Sequence, residues 1–242
     1  SFTSQPSYPL TAGGEVTFSL EATDQYGNLD SDYSSTVSIT TTDNSDVDTT
    51  QDFTSGTLDF TTSSIQTATT GQSVQVEQND DSSISGESDS FEVTEADADE
   101  VLVQTEPDST QTAGSDLTGT PTAKVQDQYG NPVENVDVSV SETGGYTFDA
   151  GTTSISTGAD GEAVFSDLEI NGANTGYDLQ FGITGSSTNV VSNPTTGSVN
   201  TQSFEVNPAA PDDLEFTSTP TSDSITAGNT ADYQVTVNDQ YG

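Results

Sequence analysis

The chain of 242 residues contains no cysteine, methionine, tryptophan or histidine, and its single basic residue, Lys124, stands against 40 acidic ones. Without cysteine there is neither a disulfide framework nor thiolate chemistry. Without histidine or cysteine a Ser-His-Asp triad, a Cys-His pair or a zinc site cannot be assembled, which leaves carboxylates and tyrosines as acid/base groups. With 40 carboxylates, some pair falls at glycosidase-like separation by chance, so proximity of two acids carries no information. A non-enzymatic role is therefore expected. A formal net charge of −39 leaves nothing to neutralise phosphate, which argues against nucleic acid and anionic lipid as partners. No stretch approaches the roughly 18 consecutive apolar residues of a membrane span, so no membrane contact is expected within these residues. The chain opens at Ser1 with neither methionine nor an apolar leader, and targeting or anchoring signals are expected to lie outside it. The triplet Asn193-Pro194-Thr195 is blocked as a glycosylation acceptor by its proline. The serine and threonine content leaves O-linked sugar open.

Basic residues are nearly absent while acids abound, and this has a physical reading. In dilute buffer, unpaired carboxylates repel over about 30 Å, whereas in molar salt the range contracts to about 3 Å and the charge acts as a solubility device. The composition points to a protein built for molar salt, in an extremely halophilic organism, expected to be an archaeon. Its 29% hydrophobic content would by itself suggest disorder, but the apolar residues alternate. Val16, Phe18, Leu20 and Ala22 share one face of Glu15–Thr23, and Ala231, Tyr233, Val235 and Val237 repeat the pattern.

The strongest internal signal is repetition. Asp24-Gln25-Tyr26-Gly27-Asn28 recurs as Asp127-Gln128-Tyr129-Gly130-Asn131 and again as Asp239-Gln240-Tyr241-Gly242, at intervals of 103 and 112 residues. These periods are longer than solenoid units of about 20 to 50 residues and match one small β-sandwich each. Thr11-Ala12-Gly13, Thr112-Ala113-Gly114 and Thr226-Ala227-Gly228 precede the loop by 13 to 15 positions, and Ser90-Phe91-Glu92-Val93 and Ser203-Phe204-Glu205-Val206 close the first two repeats. About seven short strands per repeat, with no helical periodicity, are predicted. The expected organisation is beads on a string: residues 1–95, residues 96–208, and the opening of a third repeat at 209–242. Val136, Val138 and Val140 alternate in the second repeat, Tyr177, Leu179, Phe181 and Ile183 form its most strongly patterned strand, and Asp160-Gly161 marks a turn. Two acidic or proline-containing junctions, Glu95–Glu100 and Asn207–Asp213, join the repeats.

These residues carry a family resemblance. Leu214-Glu215-Phe216, Pro220, Thr226-Ala227-Gly228, an alternating strand and Asp239-Gln240-Tyr241-Gly242 resemble the opening half of bacterial immunoglobulin-like domains of the invasin and intimin type. Gly130-Asn131-Pro132-Val133 and Asp160-Gly161-Glu162-Ala163 continue the likeness in the second repeat; the first has Leu29 in place of Pro132 and no Asp-Gly turn. The resemblance implies an all-β chain of tandem immunoglobulin-like antiparallel β-sandwich domains. It implies architecture far more than activity, because domains of this kind occur in adhesins, surface layers, extracellular enzymes and phage fibres.

Several positions are candidates for a site. Oxygen-only ligands suit calcium, and Glu95, Asp97, Asp99, Glu100 and loop residue Asp127 gather near the first junction; the alternative is an ordinarily solvated acidic surface. Asp43-Asn44-Ser45-Asp46-Val47-Asp48 is a weaker cluster, lacking the glycine and terminal glutamate of an EF-hand loop. In an immunoglobulin-like sandwich the loop after the second strand returns to the end where the chain enters, so Tyr129, Asn131 and Tyr241 are expected at the interdomain junctions. Here too there is a plainer alternative, a turn each domain needs for itself, with glycine supplying a positive φ. Lys124, between inward Ala123 and Val125, is expected to face solvent rather than to form an isopeptide bond. Acidic outward residues Glu15, Glu21, Asp137 and Glu162 are expected to guard sheet edges.

The expected function is a structural module of an extracellular or cell-surface protein, serving as stalk or building element of an adhesin, surface layer or filament. The expected partners are neighbouring repeats of the same chain, with identical subunits or a cell-surface receptor as further candidates. Two alternatives stand beside it: a fibre or spike repeat on the virion of a virus of halophiles, and accessory domains of a secreted hydrolase.

Overall fold

The computed structural model describes residues 1–42, 46–62, 64–184, 190–191, 194–218, 224 and 226–242. Among the described residues there is no helix, and every regular element is a strand. Asp43, Asn44 and Ser45 of the weaker acidic cluster lie outside the described residues, as does Pro220.

The first repeat forms β1 (Phe2–Ser4), β2 (Leu10–Thr11), β3 (Thr17–Glu21), β4 (Thr36–Thr41), β5 (Asp48–Asp52), β6 (Thr57–Thr61), β7 (Thr69–Gln72), β8 (Val74–Gln78), β9 (Asp81–Glu87) and β10 (Phe91–Thr94). One sheet has the order β1-β3-β6; the facing layer has the orders β5-β4-β8-β9 and β2-β10-β7. Since β7 runs into β8 and β9 towards β10, the facing layer is one long hairpin flanked by β4 on one side and by β2 on the other. β2 joins β10 in parallel, the other pairs being antiparallel. This is an immunoglobulin-like sandwich whose fifth strand sits beside the fourth rather than in the opposite sheet.

The second repeat reproduces that topology strand for strand. Its elements are β11 (Ala98–Thr105), β12 (Thr110–Thr112), β13 (Thr122–Asp127), β14 (Asp137–Glu142), β15 (Ser154–Ser156), β16 (Glu162–Val164), β17 (Asn174–Tyr177), β18 (Leu179–Ile183), β19 (Ser198–Asn200) and β20 (Phe204–Asn207). They pair as β11-β13-β16, β15-β14-β18-β19 and β12-β20-β17, with β12 parallel to β20. The third repeat contributes β21 (Pro211–Ser218) and β22 (Gln234–Asp239), an antiparallel pair.

Alternation builds each core. Phe18 and Leu20 face inward opposite Phe60 and Leu58, and the Phe18 and Phe60 rings stack at 4.9 Å. Val37, Ile39, Val74 and Val76 close that core from the other sheet. In the second repeat Ala123, Val125, Ala163 and Phe165 meet Val138, Val140, Leu179 and Phe181, all buried, with Phe165 stacked on Phe181 at 5.4 Å. Tyr177 is wholly buried and donates its hydroxyl to the Gly172 carbonyl at 2.6 Å, five residues upstream, in the manner of the tyrosine corner of immunoglobulin domains. Burial pushes the Tyr177 hydroxyl above its ordinary pKa. Its counterpart in the first repeat is Gln72, which faces Phe91 as Tyr177 faces Phe204; the Gln72 amide nitrogen is buried and has no hydrogen-bond partner among the described residues.

Several expectations are adjusted. Of the predicted strand Glu15–Thr23, β3 itself covers Thr17–Glu21, and Thr23 makes only an isolated bridge to Leu29. Ala98–Glu100, expected in a linker, already belongs to β11, with Ala98 fully buried; the connection from β10 is Glu95–Asp97, and the one from β20 to β21 is Pro208–Ala210. Of the four residues expected to guard edges, Glu21 and Asp137 lie on central strands and Glu15 outside any strand, so only Glu162, on β16, stands on an edge. Asp48 and Asp52 on β5 and Asp59 on β6 place charge on edges too. Lys124 is half-exposed between buried Ala123 and Val125, cross-strand from Glu162. In the third repeat the cross-strand pairs Leu214–Val237 and Phe216–Val235 present an exposed apolar face.

By packing, the described chain divides into two compact units, the first built principally from Ser1–Asp99 together with Gln126–Val133, the second including Glu100–Val125, Glu134–Thr188 and Ser192–Gly242. The loop at 126–133, which belongs to the second repeat by sequence, is thus part of the first unit.

Candidate functional site

The repeated loop is a self-contained turn built on its aspartate. Asp127 Oδ1 accepts the N–H groups of Tyr129 and Asn131, each at 2.9 Å, its Oδ2 accepts the Asn131 side-chain amide at 2.8 Å, and its carbonyl accepts Gly130 N–H at 3.0 Å. Gly130 has φ +88°, the left-handed conformation that the turn requires. The first copy is internally the same: Asp24 Oδ1 accepts from Tyr26 N–H at 2.8 Å and Asn28 N–H at 3.0 Å, and Oδ2 from the Asn28 amide at 3.0 Å. Those bonds, the Asn28 side-chain amide foremost, hold the Asp24 carboxyl below the ordinary carboxylate range. In the third copy Asp239 Oδ1 accepts Tyr241 N–H at 2.9 Å.

Beyond this shared turn the copies differ in what they touch. In the first unit, Tyr129 packs against the core cluster and its ring lies over Gly13, so that a Cβ at Gly13 would overlap the tyrosine hydroxyl. Asn131, 8% exposed, is clamped: its side-chain nitrogen donates to the Gln66 carbonyl at 2.7 Å, and its side-chain oxygen accepts Ala68 N–H at 2.9 Å. Asp127, 2% exposed, also accepts Ala96 N–H at 2.9 Å through Oδ2. Its carboxylate therefore meets four N–H donors, the arrangement a buried charge needs. In the second unit Tyr241 lies over Gly114 in the same way, and Asp239 Oδ2 accepts Ala209 N–H at 2.7 Å.

The seat beneath each tyrosine is also built twice. Ala12 N–H donates to the Thr94 carbonyl and Gly13 N–H to Ile65; Ala113 N–H donates to Asn207 and Gly114 N–H to Ile170. Gly13 (φ +88°) and Gly114 (φ +71°) hold a conformation that brings bare backbone against an aromatic ring. The Thr-Ala-Gly and Asp-Gln-Tyr-Gly motifs are thus partners in space across repeats: each glycine meets the tyrosine of the following repeat, Gly13 with Tyr129 and Gly114 with Tyr241, and not the tyrosine 13 to 15 residues on in its own. Sequence reasoning treated Thr-Ala-Gly only as a register marker and passed over Gln66 and Ala68. The signal that could have found the seat is the common recurrence of the two motifs.

Tyr26 stands apart, at 81% exposed. Among the described residues nothing meets its ring or the Asn28 side-chain oxygen.

Of the calcium candidates, Glu95, Asp99 and Glu100 are half-buried and Asp97 is exposed, all at the β10–β11 connection or the start of β11, while Asp127 is committed to N–H donors. Among the described residues no three acidic side chains are grouped so as to hold a metal ion. Among the described residues no helix is long and apolar enough to cross a membrane.

The strand order defines a chain of immunoglobulin-like sandwiches. No protein-family model and no curated protein sequence matches it. Among solved structures, it is similar to invasin, a bacterial integrin-binding protein, at 17% identity and a TM-score of 0.43, over 100% of this chain and 47% of that one. It is also similar to surface layer protein SbsC, domains 1-6 (14% identity, TM-score 0.33, 99% of this chain and 36% of that one), and to a 1.5-MDa bacterial ice-binding adhesin (16%, 0.25, 86% and 64%). The chain spans less than half of the invasin structure.

Proposed function

We propose that this chain is a non-enzymatic structural module of an extracellular or cell-surface protein from a halophilic archaeon, in which tandem sandwiches form a stalk or building element of an adhesin, surface layer or filament. Its partners are the neighbouring repeats. The observation that carries this proposal is the loop's double allegiance: Asp127–Asn131 belongs to the second repeat by sequence, yet its tyrosine, asparagine and aspartate are all engaged by residues of the first unit. A turn needed only inside its own domain would not bury its asparagine against the backbone of another repeat. A joint of this kind, made with backbone partners and one aromatic ring, stiffens an array without any ligand. The net charge of −39 supports the halophilic setting, because an array so charged repels itself unless salt screens it.

Small-angle scattering of the chain in molar potassium chloride, with and without Tyr129→Ser, tests the joint. The variant is expected to keep its circular dichroism while its scattering broadens to a wider spread of conformations. Indistinguishable scattering would show that the loop is only a turn.

A further inference from the structure

We propose that the exposed loop Asp24–Asn28 is a preformed plug for a further immunoglobulin-like repeat, which would receive Tyr26 on the positive-φ glycine of its own Thr-Ala-Gly and clamp Asn28 between one backbone carbonyl and one backbone N–H. This inference rests on the reading of the tyrosine loop as a joint and names the partner of a copy that the chain leaves unengaged.

Three observations carry it. The loop is ordered by the same internal bonds as its engaged counterpart: Asp24 takes the Tyr26, Asn28 and Asn28-amide donors at 2.8 to 3.0 Å, as Asp127 takes those of Tyr129 and Asn131 at 2.8 to 2.9 Å. Its conformation therefore does not have to be induced by a partner, which lowers the ordering cost of docking. The groups that the engaged copy uses outward are the ones Asp24–Asn28 leaves open: the tyrosine ring, 81% exposed at Tyr26 against 39% at Tyr241, and the asparagine side-chain oxygen. Finally, both other copies of the loop engage the same structure, a Thr-Ala-Gly glycine at Gly13 and at Gly114, so the chemistry of the receiving surface is known from this chain itself.

The partner is a repeat joined in tandem rather than a second copy of this chain docking in trans. Both complete seats here are filled, Gly13 by Tyr129 and Gly114 by Tyr241. Gly228 carries the turn, with Asn229 N–H donating to Thr226, but belongs to a repeat described only by the pair β21 and β22, without a strand to supply the asparagine clamp among the described residues. In both engaged copies the loop aspartate also accepts an N–H from the connecting segment, Ala96 or Ala209, a contact a tandem arrangement supplies automatically.

A head-to-tail concatemer tests this. Ser1-Phe2-Thr3-Ser4 aligns with Glu215-Phe216-Thr217-Ser218, and Phe2 pairs with Leu20 as Phe216 pairs with Val235, so residues 1–214 placed directly ahead of Ser1 keep the register. With Tyr26→Phe in the leading copy, the remaining Tyr26 is the sole reporter, read by tetranitromethane nitration and peptide mass spectrometry in molar salt. In the unextended chain Tyr26 is expected to nitrate fast and Tyr129 slowly. In the concatemer Tyr26 nitration is expected to fall to the rate of Tyr129, and Gly114→Val in the leading copy to restore it. Slow nitration of Tyr129 in both copies reports that the concatemer is folded. Fast nitration of Tyr26 in that folded concatemer would overturn this inference and leave the joint intact. If Tyr129 nitrates as fast as Tyr26 in the unextended chain, the joint itself fails, and this inference with it.

Discussion

The ring of Tyr129 lies so close over Gly13 that no side chain fits between them, although 116 positions separate the two in sequence. Gly114 and Tyr241 repeat the relationship. A glycine that must be bare for a tyrosine of the next repeat ties the two motifs to one another, and the consequences are measurable.

Gly13→Ala adds a methyl group both to a backbone at φ +88° and to the space of the Tyr129 hydroxyl. The left-handed conformation alone costs about 1–2 kcal/mol for a non-glycine residue. The overlap adds to this only while the tyrosine is present. In thermal or denaturant unfolding at constant salt, Gly13→Ala is expected to be more destabilising in the parent than in a Tyr129→Ser background, where only the backbone strain remains. Equal effects in both backgrounds would mean that ring and glycine are energetically uncoupled.

The charge predicts salt dependence. With 40 acidic residues and one basic, the melting temperature in molar potassium chloride is expected to exceed that in dilute buffer by many degrees. Equal melting temperatures in the two conditions would contradict the assignment to a high-salt setting.

Calcium provides a separate test. Four N–H donors already occupy the Asp127 carboxylate, so an ion there would have to displace the Ala96 or Asn131 contact. Chelator is expected to leave the melting temperature unchanged at fixed ionic strength. A fall on chelation, abolished in Asp97→Asn or Asp99→Asn, would instead establish a ligand set at that connection.

For Asp24 the sign of the pH effect follows from its bonds. The carboxyl is held low, first by the Asn28 side-chain amide and then by the Asn28 and Tyr26 N–H groups. A folded value below the unfolded one means that the ionised loop's contribution is present above about pH 3.9 and is lost as pH falls through the folded value. Carbon NMR of the Asp24 carboxyl is expected to show a midpoint below that of an unstructured aspartate, moving up in Asn28→Ala. An unmoved midpoint would remove the asparagine from the cause.

Gln72 occupies the place that Tyr177 fills in the second repeat, and among the described residues its buried amide nitrogen has no hydrogen-bond partner. A buried unsatisfied donor costs about 1–3 kcal/mol. Gln72→Met keeps the volume and removes the donor; it is expected to raise the midpoint of denaturant unfolding for the first unit. A lowered midpoint would show that the bond from the Thr42 hydroxyl to Gln72 Oε1, at 3.0 Å, outweighs the orphaned nitrogen.

The all-β class, the two sandwiches and the inward faces were legible along the chain, because a half-buried strand writes its orientation at period two. Val16, Phe18 and Leu20, or Val136, Val138 and Val140, needed no coordinates to be assigned to a core. The Asp-Gln-Tyr-Gly turn was legible too, since glycine and aspartate specify it locally. Strand pairing was not: that β5 sits beside β4, and that Glu21 and Asp137 lie on central strands, depends on which segments pair with which, and alternation records only the face a residue takes, not its neighbouring strand. The same limit hid the seat. Nothing in Gln66, Ala68 or Ala96 marks them as partners, because what they offer is backbone N–H and C=O, which every residue but proline carries in full. Only the tertiary structure decides which backbone groups are left open at the end of a sandwich, and so only it shows that Tyr129 is engaged while an identical loop leaves Tyr26 in solvent.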